Sequence, residues 1–453
     1  MESRRSVVSN GRSIVRSAVV SGMCLLAAVC GLANGAASRR AASSLECKDP
    51  FLLTEAQVPL LSSRVASGDV QAQCLLGFAY HRGSSLKKDD AEAAKWLLKA
   101  AEAGLPLAQA ELGYFYESGA GVQQNEFEAV QWYRKSAQQG VDKAENNLGN
   151  MYFGGRGGLP RSSEEAATWF RKAAEQGLAA AQTNLGMLYR FGEGVTRDYS
   201  EALRWYRKAA AQGYGGADAE LGIMHLHGEG VAQDYVAAVA FFRAGADHGD
   251  PSAQSCLGYM YIKGFGVERD DAAGFRWTRA AAERGIAAAQ QNLGHMYESG
   301  LGTFRDDHDA FDWYFAAAVQ GLPESQNKVG YFFETGRGVP RDEIQAAKWY
   351  RKAAEQGYAT SQLNLAMLYA TGPGQGVSVD RVEAYRWLIL AAAGGREDSA
   401  EALRRLGKVM TPQQLREARL RAYGWRSRPV PDLTQEPLFA RTSVALSDAV
   451  IEP

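Results

Sequence analysis

The dipeptide Leu-Gly recurs along this chain at a stride of 36 residues, and that stride limits the possible folds more than any other feature. It stands at Leu76-Gly77, Leu112-Gly113, Leu148-Gly149, Leu185-Gly186, Leu221-Gly222, Leu257-Gly258 and Leu293-Gly294, and continues as Val329-Gly330 and Leu365-Ala366. One step is 37. An aromatic register keeps the same time: Trp96, Trp132, Trp169, Trp205, Phe241, Trp277, Trp313, Trp349 and Trp387. Its extra residues fall at Gly154–Gly158 and Gly372–Gly376, where a loop absorbs them at little cost. A unit this short cannot bury its own apolar face, so it must stack on copies of itself.

Each unit reads as two helices. In the second unit, Ala108, Leu112 and Tyr116 are four apart and form one apolar stripe over about Ala108–Ser118. A Gly-x-Gly turn follows, as in Gly119-Ala120-Gly121, where paired glycines admit positive φ. The second helix opens on one register of N-cap residues: Asp89, Asn125, Ser162, Asp198, Asp234, Asp270, Asp306, Asp342 and Asp380. Three positions on stand Glu92, Glu128, Glu165, Glu201, Gln345 and Glu383, which predict six reciprocal capping boxes. The helix should end at a left-handed glycine: Gly104, Gly140, Gly177, Gly213, Gly249, Gly285, Gly321, Gly357 and Gly395. No stretch has the period of a strand. The register tryptophans repeat with the helix pair and so read as core.

The pattern Ala-x-x-x-Leu-Gly-x-x-Tyr, Gly-x-Gly-Val, Asp-x-x-x-Ala-x-x-Trp-x-x-x-Ala-Ala-x-x-Gly closely resembles the Sel-1-like repeat (SLR) family, relatives of tetratricopeptide repeats. The resemblance runs from Ala72 to about Asp398. It departs where His225 and Phe333 replace the Tyr, Phe241 replaces the Trp, and the first turn reads Gly83-Ser84-Ser85-Leu86. The implied fold is all-α, an α-solenoid superhelix of nine tandem helix–turn–helix Sel-1-like repeats with helical caps. The expected units are 72–107, 108–143, 144–180, 181–216, 217–252, 253–288, 289–324, 325–360 and 361–398. A linker and capping helix over residues 36–71 precede them, the helix starting near Leu45. Closing helices at Ser399–Lys408 and Thr411–Tyr423 fill residues 399–424, and a flexible tail spans 425–453.

Residues 1–35 read as a signal peptide. Arg4, Arg5, Arg12 and Arg16 precede an apolar stretch, Ser17–Ala36, and Ala33 and Gly35 suit a cleavage site. The expectation is export to the periplasm or outside the cell, with a retained N-terminal anchor and a mitochondrial presequence as the other readings. Without those residues the chain has 46 basic and 50 acidic side chains, so no basic field points to nucleic acid. Beyond that segment lie Cys47, Cys74 and Cys256. Pairing of Cys47 with Cys74 and three free thiols both fit.

The surface of the stacked first helices is the expected binding face. Two registers of the first helix fall there, and they include Asn147, Asn184, Asn292, Asn364, Tyr114, Tyr259 and Tyr331. Carboxamides can bond an extended peptide backbone in both senses, and aromatic faces bury its side chains. The same positions would equally serve helix packing. The resemblance implies an adaptor in multiprotein assemblies, binding a protein or peptide, with no catalysis, cofactor, metal or nucleic acid; the chain is expected to be monomeric. The alternative is a cell-envelope enzyme, or an inhibitor of one, of β-lactam or peptidoglycan chemistry. A β-lactam-hydrolysing branch of the family pairs cysteines within its repeats; this chain does not, and that activity is not carried over. Gly372-Pro373-Gly374-Gln375-Gly376 lacks the Lys-Ser/Thr of a phosphate loop. His225 and His227, two apart on a helix, point to different faces and do not form a metal pair.

Overall fold

The structure is a computed structural model that describes residues 58–425 except Ser84 and residues 373–376. The expected signal peptide, Cys47, the start of the N-terminal capping helix and the tail beyond Trp425 lie outside those residues. Every regular element among the described residues is a helix, in an α-solenoid of nine repeats. They form two compact units, residues 58–217 and 218–425, whose boundary falls inside the helix Gly215–His227.

The first helices are Val70–Arg82, Pro106–Ser118, Asp142–Gly154, Ala179–Phe191, Gly215–His227, Pro251–Lys263, Ala287–Ser299, Pro323–Thr335 and Ala359–Thr371. The second helices run from Asp90–Glu102 to Arg381–Ala393. The caps are Val58–Ala66, Asp398–Gly407 and Pro412–Tyr423. Thr411 and Gln414 form a full capping box at the last of these.

All nine predicted N-cap side chains accept hydrogen bonds from the first turn of their second helix. The six capping boxes do not form there, for a reason visible in the backbone. The N-cap amide is already engaged by a carbonyl in the last turn of the preceding helix. Asn125 N–H donates to Tyr116 O at 2.8 Å, Asp198 to Tyr189 O at 2.9 Å and Asp380 to Tyr369 O at 2.9 Å. The same bond is made at Asp89, Ser162, Asp234, Asp270, Asp306 and Asp342. It closes the helix pair and leaves Glu92 and Glu201 to bond Lys95 and Arg204 instead.

The turn glycines have two separate duties. The first of each pair, such as Gly119 with φ 75°, ends the first helix in the left-handed region. The second also lets one repeat settle on the one before it. A Cβ at Gly121 would stand 2.0 Å from the carbonyl oxygen of Asp90, in the first turn of the preceding repeat's second helix. The corresponding gaps are 2.2 Å at Gly194, Gly266 and Gly338 and 2.0 Å at Gly302. The glycine of Leu-Gly works within a repeat: Gly113, Gly186, Gly294 and Gly330 lie under the rings of Tyr133, Tyr206, Tyr314 and Tyr350. Each of those rings follows a register tryptophan and is fully buried. The tryptophans themselves divide. Trp132, Trp205, Trp349 and Trp387 are buried, whereas Trp96, Trp169, Trp277 and Trp313 are half-buried. Lysines cover several of their faces, as Lys352 does Trp349 at 3.8 Å.

A polar clasp joins successive repeats. Gln326 Nε2 donates to Ala318 O at 3.2 Å, a carbonyl near the end of the preceding second helix that also accepts from Gly321 N–H. Its Oε1 accepts from Gln356 Nε2 at 2.8 Å, thirty residues on. The unit repeats with Gln109 and Gln139, Gln182 and Gln212, and Gln290 and Gln320. At the fifth repeat Asp218 and His248 take its place, at 3.3 Å. Cys74 is disulfide-bonded and Cys256 is a buried free thiol.

Two predictions follow from these contacts. Gly121→Ala, which meets backbone, should destabilise the full chain by about 3 kcal/mol or more, combining left-handed strain with overpacking. Gly104→Ala, with φ 90° and nothing within 4 Å, should cost only about 1–2 kcal/mol. Denaturant unfolding separates the two; equal losses would mean that the second turn glycine serves only the turn. Likewise Asp198→Ala should cost about 1 kcal/mol. Glu128→Ala should stay within about 0.5 kcal/mol, as expected of a surface residue outside any capping box.

Candidate functional site

The first helix of a repeat turns its Leu stripe inward, so the two expected binding registers lie on its flank. The structure sorts their members by depth. In the unit of residues 58–217, Tyr114 and Asn147 are half-buried and Asn184 is fully buried. Asn184 Nδ2 donates to Asn146 Oδ1 at 2.9 Å, and Asn146 Nδ2 reaches Asn147 Oδ1 at 3.4 Å. The Asn184 carboxamide thus bonds a neighbouring repeat and presents no surface to a ligand, contrary to its expected place. Burial, then the nearby Glu111, raises the Tyr114 hydroxyl above its ordinary range.

In the unit of residues 218–425, Asn292 is also buried in the packing. Tyr259 is half-buried and meets the edge of Phe265, whose ring stacks on Tyr235 at 5.1 Å. His225 is half-buried and stacked on Phe241 at 5.3 Å. Tyr331 is exposed, and so is Met367 one repeat later. Asn364, half-buried between them in sequence, donates to Asn327 Oδ1 at 3.0 Å. That oxygen also accepts from Ser361 Oγ at 2.8 Å.

Charge surrounds Tyr331. Lys328 Nζ lies 2.9 Å from Glu298, and the turn residue Arg337 bridges Glu298 at 3.2 Å and Asp307 at 2.7 Å. The Arg337 guanidinium sits 5.9 Å from the Tyr331 ring. Its hydrogen bonds hold the Asp307 carboxyl down to about 2. Burial alone would raise Glu298, but bonding to Lys328, then Tyr314 and Arg337, lowers it. Burial, then the Lys328 charge, lowers the His295 imidazole, so this histidine favours its neutral form. In the unit of residues 58–217, Arg156 makes the same bridge to Glu117 and Glu126.

The open part of the first-helix face is therefore Tyr331 and Met367, with Lys328, Asn327 and Asn364 half-buried nearby. Aromatic and thioether groups there can bury an apolar side chain, and the amide and ammonium groups can bond a backbone or a carboxylate. Lys328 shares the register of Asn292 and Asn364, whereas Asn327, Glu298 and Arg337 stand outside the two registers. The Gln register was equally legible, since Gln109, Gln182, Gln254, Gln290, Gln326 and Gln362 keep the repeat stride. Among the described residues, no group of three or more His, Cys, Asp or Glu could hold a metal ion. No helix among them is long and apolar enough to cross a membrane.

Comparison with known proteins places these units. The Sel1 repeat family matches residues 70–105, 106–141, 142–178, 179–214, 216–250, 251–286, 287–322, 323–358 and 359–395. Each match starts at or next to the first residue of a first helix, about two residues before the expected unit boundaries. No curated protein matches the chain. Among solved structures, c5321, a protective antigen of uropathogenic Escherichia coli strains with an SLR fold, is 29% identical. The alignment covers 88% of this chain and 98% of that one, with a TM-score of 0.43. A Sel1 repeat protein from Oxalobacter formigenes is 32% identical over 54% of this chain and 99% of its own, with a TM-score of 0.48. The immunity protein Pa5087 from Pseudomonas aeruginosa is 23% identical over 48% and 81%, with a TM-score of 0.36. With nine consecutive units matched across most of its length, this chain belongs to the Sel1 repeat family.

Proposed function

We propose that this chain is an exported scaffold that holds a protein or peptide partner on its first-helix face, with no catalysis of its own. Sel1 repeats generally mediate protein–protein interactions, and proteins built from them are generally non-catalytic scaffolds. The observation that carries the reading to this molecule is the exposed pair Tyr331 and Met367, one repeat apart on successive first helices. An extended segment crossing those helices meets an aromatic ring, a thioether, the Lys328 ammonium and the Asn364 amide in turn. Tyr114, Asn147 and Tyr259 extend the same registers on other repeats. Asn184 and Asn292 are buried among helices of their own units.

A photo-crosslinker at position 331 should capture one dominant partner in the native cell. Tyr331→Ala with Met367→Ala should cut its recovery at least ten-fold while Tm stays within about 2 °C, as expected of exposed positions. Full recovery with the double variant would end the reading, and nitrocefin hydrolysis abolished by one point substitution would restore the enzymatic alternative.

Export rests on the arginine-rich start, the apolar stretch and the small residues before Ala36. Intact-mass analysis of the protein from its native host should find the first 35 residues or so removed. A chain recovered at full length from the cytoplasm would refute it.

A further inference from the structure

The second helices carry a repeating surface pair. An Arg stands two residues after the register aromatic at Arg134, Arg171, Arg207, Arg243, Arg279 and Arg351. Four residues further on stand Gln138, Glu175, Ala211, Asp247, Glu283 and Glu355. One turn apart, such residues can pair, and Arg279 bonds Glu283 at 2.8 Å. The first repeat, with Leu98, and the ninth, with Ile389 and Ala393, lack the pair but keep Leu98 and Ile389 half-buried; the seventh lacks it with both positions exposed. Phe315 takes the place of the Arg and Val319 that of the acid. Both are exposed, Val319 by 55%. Phe315 is continuous with buried aromatics, packing at 5.4 Å on Trp349 and 5.8 Å on Phe311. The outer surface of a solenoid repeat is ordinarily polar, and a contiguous apolar patch there marks a contact. Beside it, the second helix of the eighth repeat presents exposed Lys348, Arg351 and Lys352.

From this patch we infer that the chain's own C-terminal segment, residues 436–452, docks on the second helices of repeats seven and eight. Three observations choose this occupant. First, the described chain leaves the fold on this layer, since Trp425 packs at 6.2 Å against Trp387 of the ninth repeat's second helix. Second, the reach suffices. Two helix spacings separate the ninth repeat from the seventh, about 20 Å. The ten residues Arg426–Gln435 can span about 35 Å when extended. Third, the composition is complementary. Leu438, Phe439, Val444, Leu446, Val450 and Ile451 offer apolar groups to Phe315 and Val319. Glu436, Asp448 and Glu452 against the single Arg441 offer net negative charge to the three cations.

Carbodiimide coupling of the full chain tests this, read by mass spectrometry on the monomer fraction. Asp448 or Glu452 should link to Lys348 or Lys352. The link should fall at least ten-fold in Phe315→Arg/Val319→Glu, which reinstates the residues of neighbouring repeats and so keeps the helix. It should fall equally in Leu438→Asp/Phe439→Asp, which alters no described helix. Absence of the link, or a link that both variants keep, overturns the inference. Links between isotopically light and heavy chains in a mixture would also overturn it, by making a second copy the occupant.

Discussion

The approach of one repeat to the next is set by a missing side chain. Within each compact unit the second glycine of a Gly-x-Gly turn sits against the first turn of the preceding repeat's second helix, and at Gly121 only 2.0 Å would separate a Cβ from the Asp90 carbonyl. Everything built on stacking depends on that approach. The glutamine clasp needs Gln356 within reach of Gln326, and the arginine bridge needs Arg337 within reach of both Glu298 and Asp307. The glycine under each buried ring plays the matching role inside a repeat. Together these positions let helices meet nearly backbone to ring and backbone to backbone, so that rather small residues build a dense core.

The polar groups of the interior follow from the same closeness. A helix pair brought this near leaves few amides and carbonyls open to water, so each needs a partner. The N-cap amide bonds back to the first helix, the N-cap side chain serves the first turn, and the clasp glutamine takes a carbonyl near the far end. The fifth repeat keeps the clasp position but makes it ionisable, with Asp218 facing His248. Nearby, burial raises the Asp250 carboxyl to about 6.

Much of the fold could be read from residue positions alone, because stride, N-cap, turn and terminator residues act locally. The closing helix was placed by Thr411 and Pro412, and it ends at Tyr423 as expected. The site was less legible. Asn184 and Asn364 share a register, yet one is sealed between repeats and the other is half-open. Their depth depends on the neighbouring first helix, which a register in one helix does not describe. The capping boxes failed for a related reason: Glu128 has the right spacing, but its intended donor, the Asn125 amide, belongs to Tyr116.

The sequence by itself determined that paired helices repeat nine times, where each begins and ends, and which residues bury one face, since period, capping and left-handed glycine are properties of short segments. Only the tertiary structure decided which side chains of a shared register remain open, because exposure is settled by the helix that comes to lie alongside. It alone showed Tyr331 and Met367 open while Asn184 and Asn292 are closed. It also revealed Tyr133, Phe170, Tyr206, Tyr314 and Tyr350, each the residue after a register tryptophan, as fully buried, because that ring, and not the indole, lies over a glycine with no side chain to keep it out.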